Sequence, residues 1–302
     1  MKMISHDTYL GDIIMSNGSN SMNISARAAK GQGKVTEIIN ILEKVTLGSH
    51  FFQVAKLLRE SIFLNGILTN SEVWYGVSQH QVEQLEFVDK LLLRIFLDTP
   101  QTTPLEGTQL EFGVISIGTI IKARRVNYLH YLLQTSGNEM LHKVFVAQLQ
   151  QPVRLDWTTQ VQKDLKDFKI DLTLEEIKSK STDVFKTLVR KKSTEYEFSK
   201  LMMAKQPHTK MNQLNYPKLE MQQYLKDGNI SAVGGRTLFR YHTHMANYRQ
   251  NFGNNNGPVN CQLCGLHLDN QYMAFYNCQI IKDNVDITEN MKISLNSQSL
   301  VS

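Results

Sequence analysis

A chain of 302 residues that is 41% hydrophobic, with a mean hydropathy of -0.30, carries enough apolar material to bury a core, so composition excludes a disordered chain. Three cysteines, two of them too close together for an easy disulfide, exclude a secreted disulfide scaffold; with no apolar run of roughly 18 residues and no signal-peptide stretch, the expectation is an intracellular protein, cytoplasmic or nuclear, with no membrane partner. The net charge of +5 is local, since residues 1–151 carry 13 Lys+Arg against 13 Asp+Glu while residues 186–252 carry 12 against 4, and such an asymmetry points to a polyanion-facing surface in the second half or to a solvated, lysine-rich helical face.

Apolar residues recur with helical spacing almost throughout, so the chain reads as mainly α. The exception is "DTYLGDIIMSNGSN" at residues 7–20, a strand or half-hairpin ending in the turn-former Asn17-Gly18 and, as a strand, without an evident partner in its own chain. Helices are predicted over about 21–46, 50–68 and 79–97, the last opened by Ser78 with Gln81 three residues on, the spacing of a capping box. Pro100 and Pro104 stop that run. A further helix near 116–134 sets Lys122, Arg124, Arg125 and His130 among Ile120, Ile121, Val126, Leu129 and Leu132, which reads as one apolar and one basic side. A boundary is expected near 150. Thr173 with Glu176 opens another helical stretch that "VFKTLVRKKSTEYEFSKLMM" continues, Pro207 and Pro217 bracket a linker, and "QNFGNNNGPVN" is a Gly/Asn-rich tether.

Few patterns carry chemistry. Cys261-x2-Cys264 has the spacing at which two thiolates grip one zinc ion from a turn; the alternatives are two small buried residues, or a redox pair whose βαβ context is absent. Cys278 offers a third thiolate, and His267 is the only imidazole between Cys264 and Cys278. Residues 236–252, "RTLFRYHTHMANYRQNF", interleave Arg236, Arg240 and Arg249 with Phe239, Tyr241, Tyr248 and Phe252, an alternation that suits phosphate neutralisation with base stacking on a single-stranded or hybrid nucleic acid. The same residues also read as a core stripe with cations outside. His242 and His244 have no carboxylate or cysteine nearby to complete a metal site. Glu83, Glu86 and Asp89 have helical spacing and read as a solvated edge, and Gly31 and Gly33 in "KGQGK" lack the preceding strand of a phosphate loop.

Taken in order, "TYLGDIIMSNG", "NISARAAKGQGKVTEIINIL", "LLRESIFLNGILTNSEVWYGV", "QLEFVDKLLLRIF", "LEFGVISIGTIIKARRVNYLHYLL", "KLEMQQYL", "LFRYHTHMANYRQNF" and the C-x-x-C resemble the C-terminal part of a LINE-type, non-LTR retrotransposon reverse transcriptase, over about residues 8–280. The resemblance implies a remnant of the palm and primer grip at 1–20, with Tyr9, Leu10 and Gly11 just after the catalytic strands. It implies a thumb-like helical domain at 21–150, a basic helical region at 151–252, a zinc-knuckle-like motif at 253–280 and a tail at 281–302. Polymerisation in such enzymes depends on aspartates that hold two Mg²⁺ ions, including an Asp-Asp pair, and no Asp-Asp pair occurs in this sequence. What remains is a nucleic-acid-binding part with no catalytic activity of its own, in which Mg²⁺ belongs only to a full-length enzyme.

Arg124, Arg125, Lys191, Lys192, Arg236, Arg240 and Arg249 are the expected backbone contacts to RNA, DNA or their hybrid. The family's knuckle resembles C-x2-C-x8-H-x4-C, and Met273 stands where that histidine would be. A thioether is a poor zinc ligand, so Cys261, Cys264 and Cys278 with an ill-placed His267 imply weak zinc binding. Two alternatives stand beside this reading: a decayed element without function, and a host-recruited helical module that binds a protein through "LLLRIFL" or the Trp74 region.

Overall fold

β1 (His6–Tyr9) and β2 (Asp12–Met15) pair antiparallel, with His6 opposite Met15 and Tyr9 opposite Asp12. The strand expected to lack a partner therefore finds one in its own chain. In the computed structural model, residues 6–9, 12–16, 19–44, 50–99, 103–137, 139–153, 156–206 and 215–243 are described. The chain divides into two compact units, Met1–Arg236 and Thr237–Ser302.

The first unit is a helical assembly. α1 (Ser21–Lys44) packs on α4 (Gln79–Leu97) and on the rod made by α2 (Phe51–Leu58), a π-helical segment (Arg59–Leu64) and one last turn, α3 (Asn65–Ile67). Gly31 makes this approach possible, because a Cβ there would lie 3.2 Å from Ile67 and 3.3 Å from Val88. The glycine that resembled part of a phosphate loop is a helix-packing position. α4 starts where the sequence places it: the Ser78 hydroxyl accepts the Gln81 N–H and the Gln81 side chain returns to the Ser78 N–H.

After α5 (Leu105–Phe112), α6 (Ile117–Gln134) runs through the middle of the unit. It touches α4, α7 (Met140–Gln150), α8 (Trp157–Asp167), α9 (Leu174–Ser179) and α10 (Thr182–Ala204). A helix with neighbours on so many sides has no solvated basic face, and the expectation of a basic side gives way: Arg125 and His130 are buried, and Lys122 and Arg124 half-buried. Val126, Leu129 and Leu133 of α6 share one apolar cluster with Phe145, Trp157, Val161, Phe185 and Val189. That cluster draws on residues both before and after position 150.

The Thr173–Glu176 capping box forms as the sequence predicts, but the helix it opens stops at Lys180 and restarts at Thr182. His130 and Gln134 of α6 explain the break. Both reach the Lys180 carbonyl, at 2.9 and 3.3 Å, and hold it out of the helical ladder. Farther on, residues 215–222 cross the end of α5, with Met221 bridged to Phe112, and lead into a short helix (Gln223–Lys226) and the helix Ala232–His242. Of the second unit, residues 237–243 are described, where Thr243 donates its N–H and hydroxyl to the Phe239 carbonyl at 2.9 and 2.7 Å. No helix among the described residues is long and apolar enough to cross a membrane.

The hairpin is tied down by one carboxylate. Asp12 accepts from Arg27 (2.7 Å), Asn23 (3.0 Å) and Asn70. Burial pushes its pKa up, but those three side chains outweigh it and hold the carboxyl below its ordinary 3.8. A depressed carboxyl stabilises the fold fully above 3.8 and loses that contribution as pH falls through its folded value. The unfolding free energies of the natural chain and Asp12→Asn are therefore expected to differ at about pH 6 and to converge toward about pH 2. A difference that stays constant across that range would show that the ionised carboxylate is not the anchor.

Candidate functional site

The cationic residues singled out by the sequence fall into two groups. Arg125 is buried in an ion pair with Asp164 at 2.7 Å and also donates to the Trp74 carbonyl at 3.3 Å. Burial raises the Asp164 carboxyl above its ordinary value despite that arginine. Arg124 donates to the Leu68 carbonyl and, at 3.4 Å, to the Ser71 hydroxyl, and burial lowers its pKa. Arg236 caps the C-terminal end of α4 through the carbonyls of Phe96 (3.0 Å) and Ile95 (3.4 Å) and lies over the Phe51 ring. These three hold elements of the unit together.

The others lie closer to solvent. Lys191 is exposed, Lys192 pairs with Glu195 at 3.2 Å, and Arg240 is half-buried one turn beyond Arg236. Arg249, Cys261, Cys264, His267 and Cys278 lie outside the described residues, as does Met273. Within the described residues no three His, Cys, Asp or Glu side chains come together in a way that could hold a metal.

α10 carries several exposed positive charges. Its inward stripe is Phe185, Val189, Ser193, Glu197 and Leu201, at steps of four. Lys186, Arg190 and Lys191 lie off that stripe and are exposed, with Lys186 and Arg190 one turn apart on the same face. An i, i+4 pair of cations without an interleaved acid repels itself mildly and gains from an anionic partner.

A second feature was not legible in the sequence. α4, α6, α8 and α10 enclose a cleft of about 380 Å³. Its rim carries Lys163 of α8 and Lys200 of α10, both exposed, while Lys122 of α6 is held against Asp167 and the Tyr196 hydroxyl. Its lining also holds Glu86 and Gln160, beside the Arg125–Asp164 ion pair. Glu86 is half-buried, its Oε1 taking the Gly118 N–H at 3.3 Å, and burial pushes its pKa up although Lys200 and that N–H pull the other way. Gln160 has a buried Oε1 without a donor. Beside the cleft, the fully buried Glu197 accepts the hydroxyls of Ser116 (2.9 Å) and Thr119 through Oε2, while its Oε1 has only the Lys200 ammonium at 3.8 Å.

The carboxylate run read as a solvated edge thus splits three ways. Glu83 is exposed, Glu86 enters the cleft, and Asp89 is buried against Arg59. A signal was available: Asp89 directly follows Val88 within the buried Leu85–Leu92 register, and Glu197 sits on the inward stripe of α10. An acid placed on an apolar stripe is paired or functional, because leaving it unpaired would cost several kcal/mol. In comparison with known proteins, no family model, no curated protein and no solved structure matches this chain.

Proposed function

We propose that this chain is a sequence-tolerant nucleic-acid-binding part of an RNA-directed DNA polymerase of the LINE-type retrotransposon kind, with the helical unit in the place of a thumb. The exposed cationic face of α10 supports this reading best. Lys186, Arg190 and Lys191 stand on a helix whose opposite stripe is locked into the apolar cluster, so the charges sit on a rigid element and need little ordering on binding. The three arginines bound to internal partners, Arg124, Arg125 and Arg236, act in this reading as braces of the helical unit. The chain has no Asp-Asp pair to hold catalytic metals, so binding and not polymerisation is its expected activity.

The affinity for a single-stranded oligonucleotide should fall steeply with salt. The triple replacement of Lys186, Arg190 and Lys191 by Ala should flatten the slope of log K against log salt by about 2, that is, about 0.7 for each lost phosphate contact on a single strand. Fluorescence anisotropy at several salt concentrations reads this directly. An unchanged slope would mean that α10 presents a solvated face and nothing more.

One observation favours the helical protein-interaction module. Phe87 and Leu91 of α4, one turn apart, are 62% and 41% exposed, whereas most of "LLLRIFL" and Trp74 are buried. That module would bind a protein with little dependence on salt.

A further inference from the structure

We propose that the cleft between α4, α6, α8 and α10 takes one guanine nucleotide, with the Watson–Crick edge of the base on Glu86 and the phosphate on Lys163 and Lys200. The cleft's volume of about 380 Å³ lies in the range of roughly 300–1,000 Å³ of small-molecule sites. Val77, Val82 and Ile121 give it apolar walls suited to a flat ring. The proposal rests on the nucleic-acid reading only for where the nucleotide comes from.

Two rim cations and two under-supplied acceptors in the cleft select the ligand. Lys163 is exposed and has no acidic partner among the described residues, and Lys200 reaches Glu197 at 3.8 Å and the Ser116 hydroxyl at 3.5 Å, both long contacts. Lysine ammoniums at a rim suit a phosphate, which can stay partly hydrated there. Inside, two acceptors lack a full set of donors. The Glu86 carboxylate has one long hydrogen bond, and the Gln160 Oε1 has none although it is buried. A buried acceptor without a donor calls for one from water or a ligand. Guanine alone among the common bases presents two adjacent donors, N1–H and N2–H, that match the two oxygens of a carboxylate. Adenine and cytosine place a ring acceptor beside their amine, which a carboxylate repels, and uracil offers a single N–H between two carbonyls.

The test titrates the full chain with GMP, AMP and guanosine by calorimetry. GMP is expected to saturate and to bind about tenfold more tightly than AMP, the scale of one bidentate base contact. Guanosine, lacking the phosphate, should bind more weakly than GMP. Glu86→Gln should erase the preference for GMP over AMP, because the amide offers one acceptor where guanine needs two. Lys163→Ala, a change at an exposed position, should weaken GMP and bring it toward guanosine. Equal affinity for GMP and AMP, no saturation at millimolar nucleotide, or a preference that survives Glu86→Gln would each overturn the assignment.

A 5′-phosphorylated GAAA tetranucleotide separates the sources. A guanine preference over the AAAA strand assigns a strand as the ligand, and its absence beside a GMP preference assigns the free nucleotide. Salt-dependent strand binding with no guanine preference in strands or mononucleotides would overturn the cleft assignment and leave the α10 reading standing. Guanine-selective GMP binding without affinity for strands would do the reverse.

Discussion

Asp89→Ala is expected to destabilise the first unit by about 3–5 kcal/mol. Arg59 and Asp89 form two parallel hydrogen bonds, Nε to Oδ1 at 2.7 Å and Nη2 to Oδ2 at 2.6 Å, and their side chains are 1% and 3% exposed. An arginine guanidinium cannot shed its proton to escape burial. With the carboxylate gone, the Ile115 carbonyl at 3.1 Å is the acceptor left to a buried charge. Because the pair joins the π-helical segment to α4, the loss would reach the packing of both. The same physics sets the control. Replacing both partners with apolar residues of similar volume, Arg59→Met with Asp89→Leu, removes the stranded charge and should recover most of the loss. Urea denaturation of the two variants checks this. A single-variant cost below about 1 kcal/mol, or a double variant no better than the single, would show that the pair is not desolvated.

Gly113→Ala should be comparably severe, by a steric route. Gly113 has φ +60, the left-handed region, and a Cβ there would come within 2.0 Å of the Glu220 carbonyl carbon and 2.1 Å of the Met221 nitrogen. Both obstacles are backbone and cannot rotate away. Residues 215–222 would have to lift from the end of α5. That would break the Gln222 N–H bond to the Glu111 carbonyl and strip the buried Glu111 carboxylate of the Tyr216 and Tyr224 hydroxyls. Both hydroxyls are held protonated there, chiefly by burial and then by the Glu111 charge. A cost of about 3 kcal/mol or more is expected, with fast amide exchange appearing at Gln222 before it spreads to α10. Equal protection of Gln222 in the natural chain and the variant would show that this docking is not fixed by Gly113.

Much of the architecture was legible because it is written in local chemistry. The helical starts at Gln79 and Leu174 follow from capping boxes closed within four residues, and the helices Ser21–Lys44 and Ile117–Gln134 follow from apolar repeats that need no knowledge of a partner. What failed to read was the direction of charged side chains. Arg125 and Arg236 look like phosphate contacts in a basic sequence, yet a carboxylate 39 residues away takes the first and a helix end 140 residues away takes the second. The cleft is equally non-local, since Glu86, Lys163 and Lys200 come from three different helices.

The sequence by itself determined that this protein is mainly helical, where the helices that begin at Ser21, Phe51, Gln79, Ile117 and Leu174 start, that its positive charge concentrates in the second half, and that it holds no Asp-Asp pair. Only the tertiary structure decided which cations are braces and which face solvent, where the N-terminal strand finds its partner, why a helix breaks at Lys180, and that a cleft opens between four helices. The reason is range. Capping and periodicity are settled by neighbours within a turn or two, whereas desolvation and charge pairing depend on groups the chain brings together from far apart.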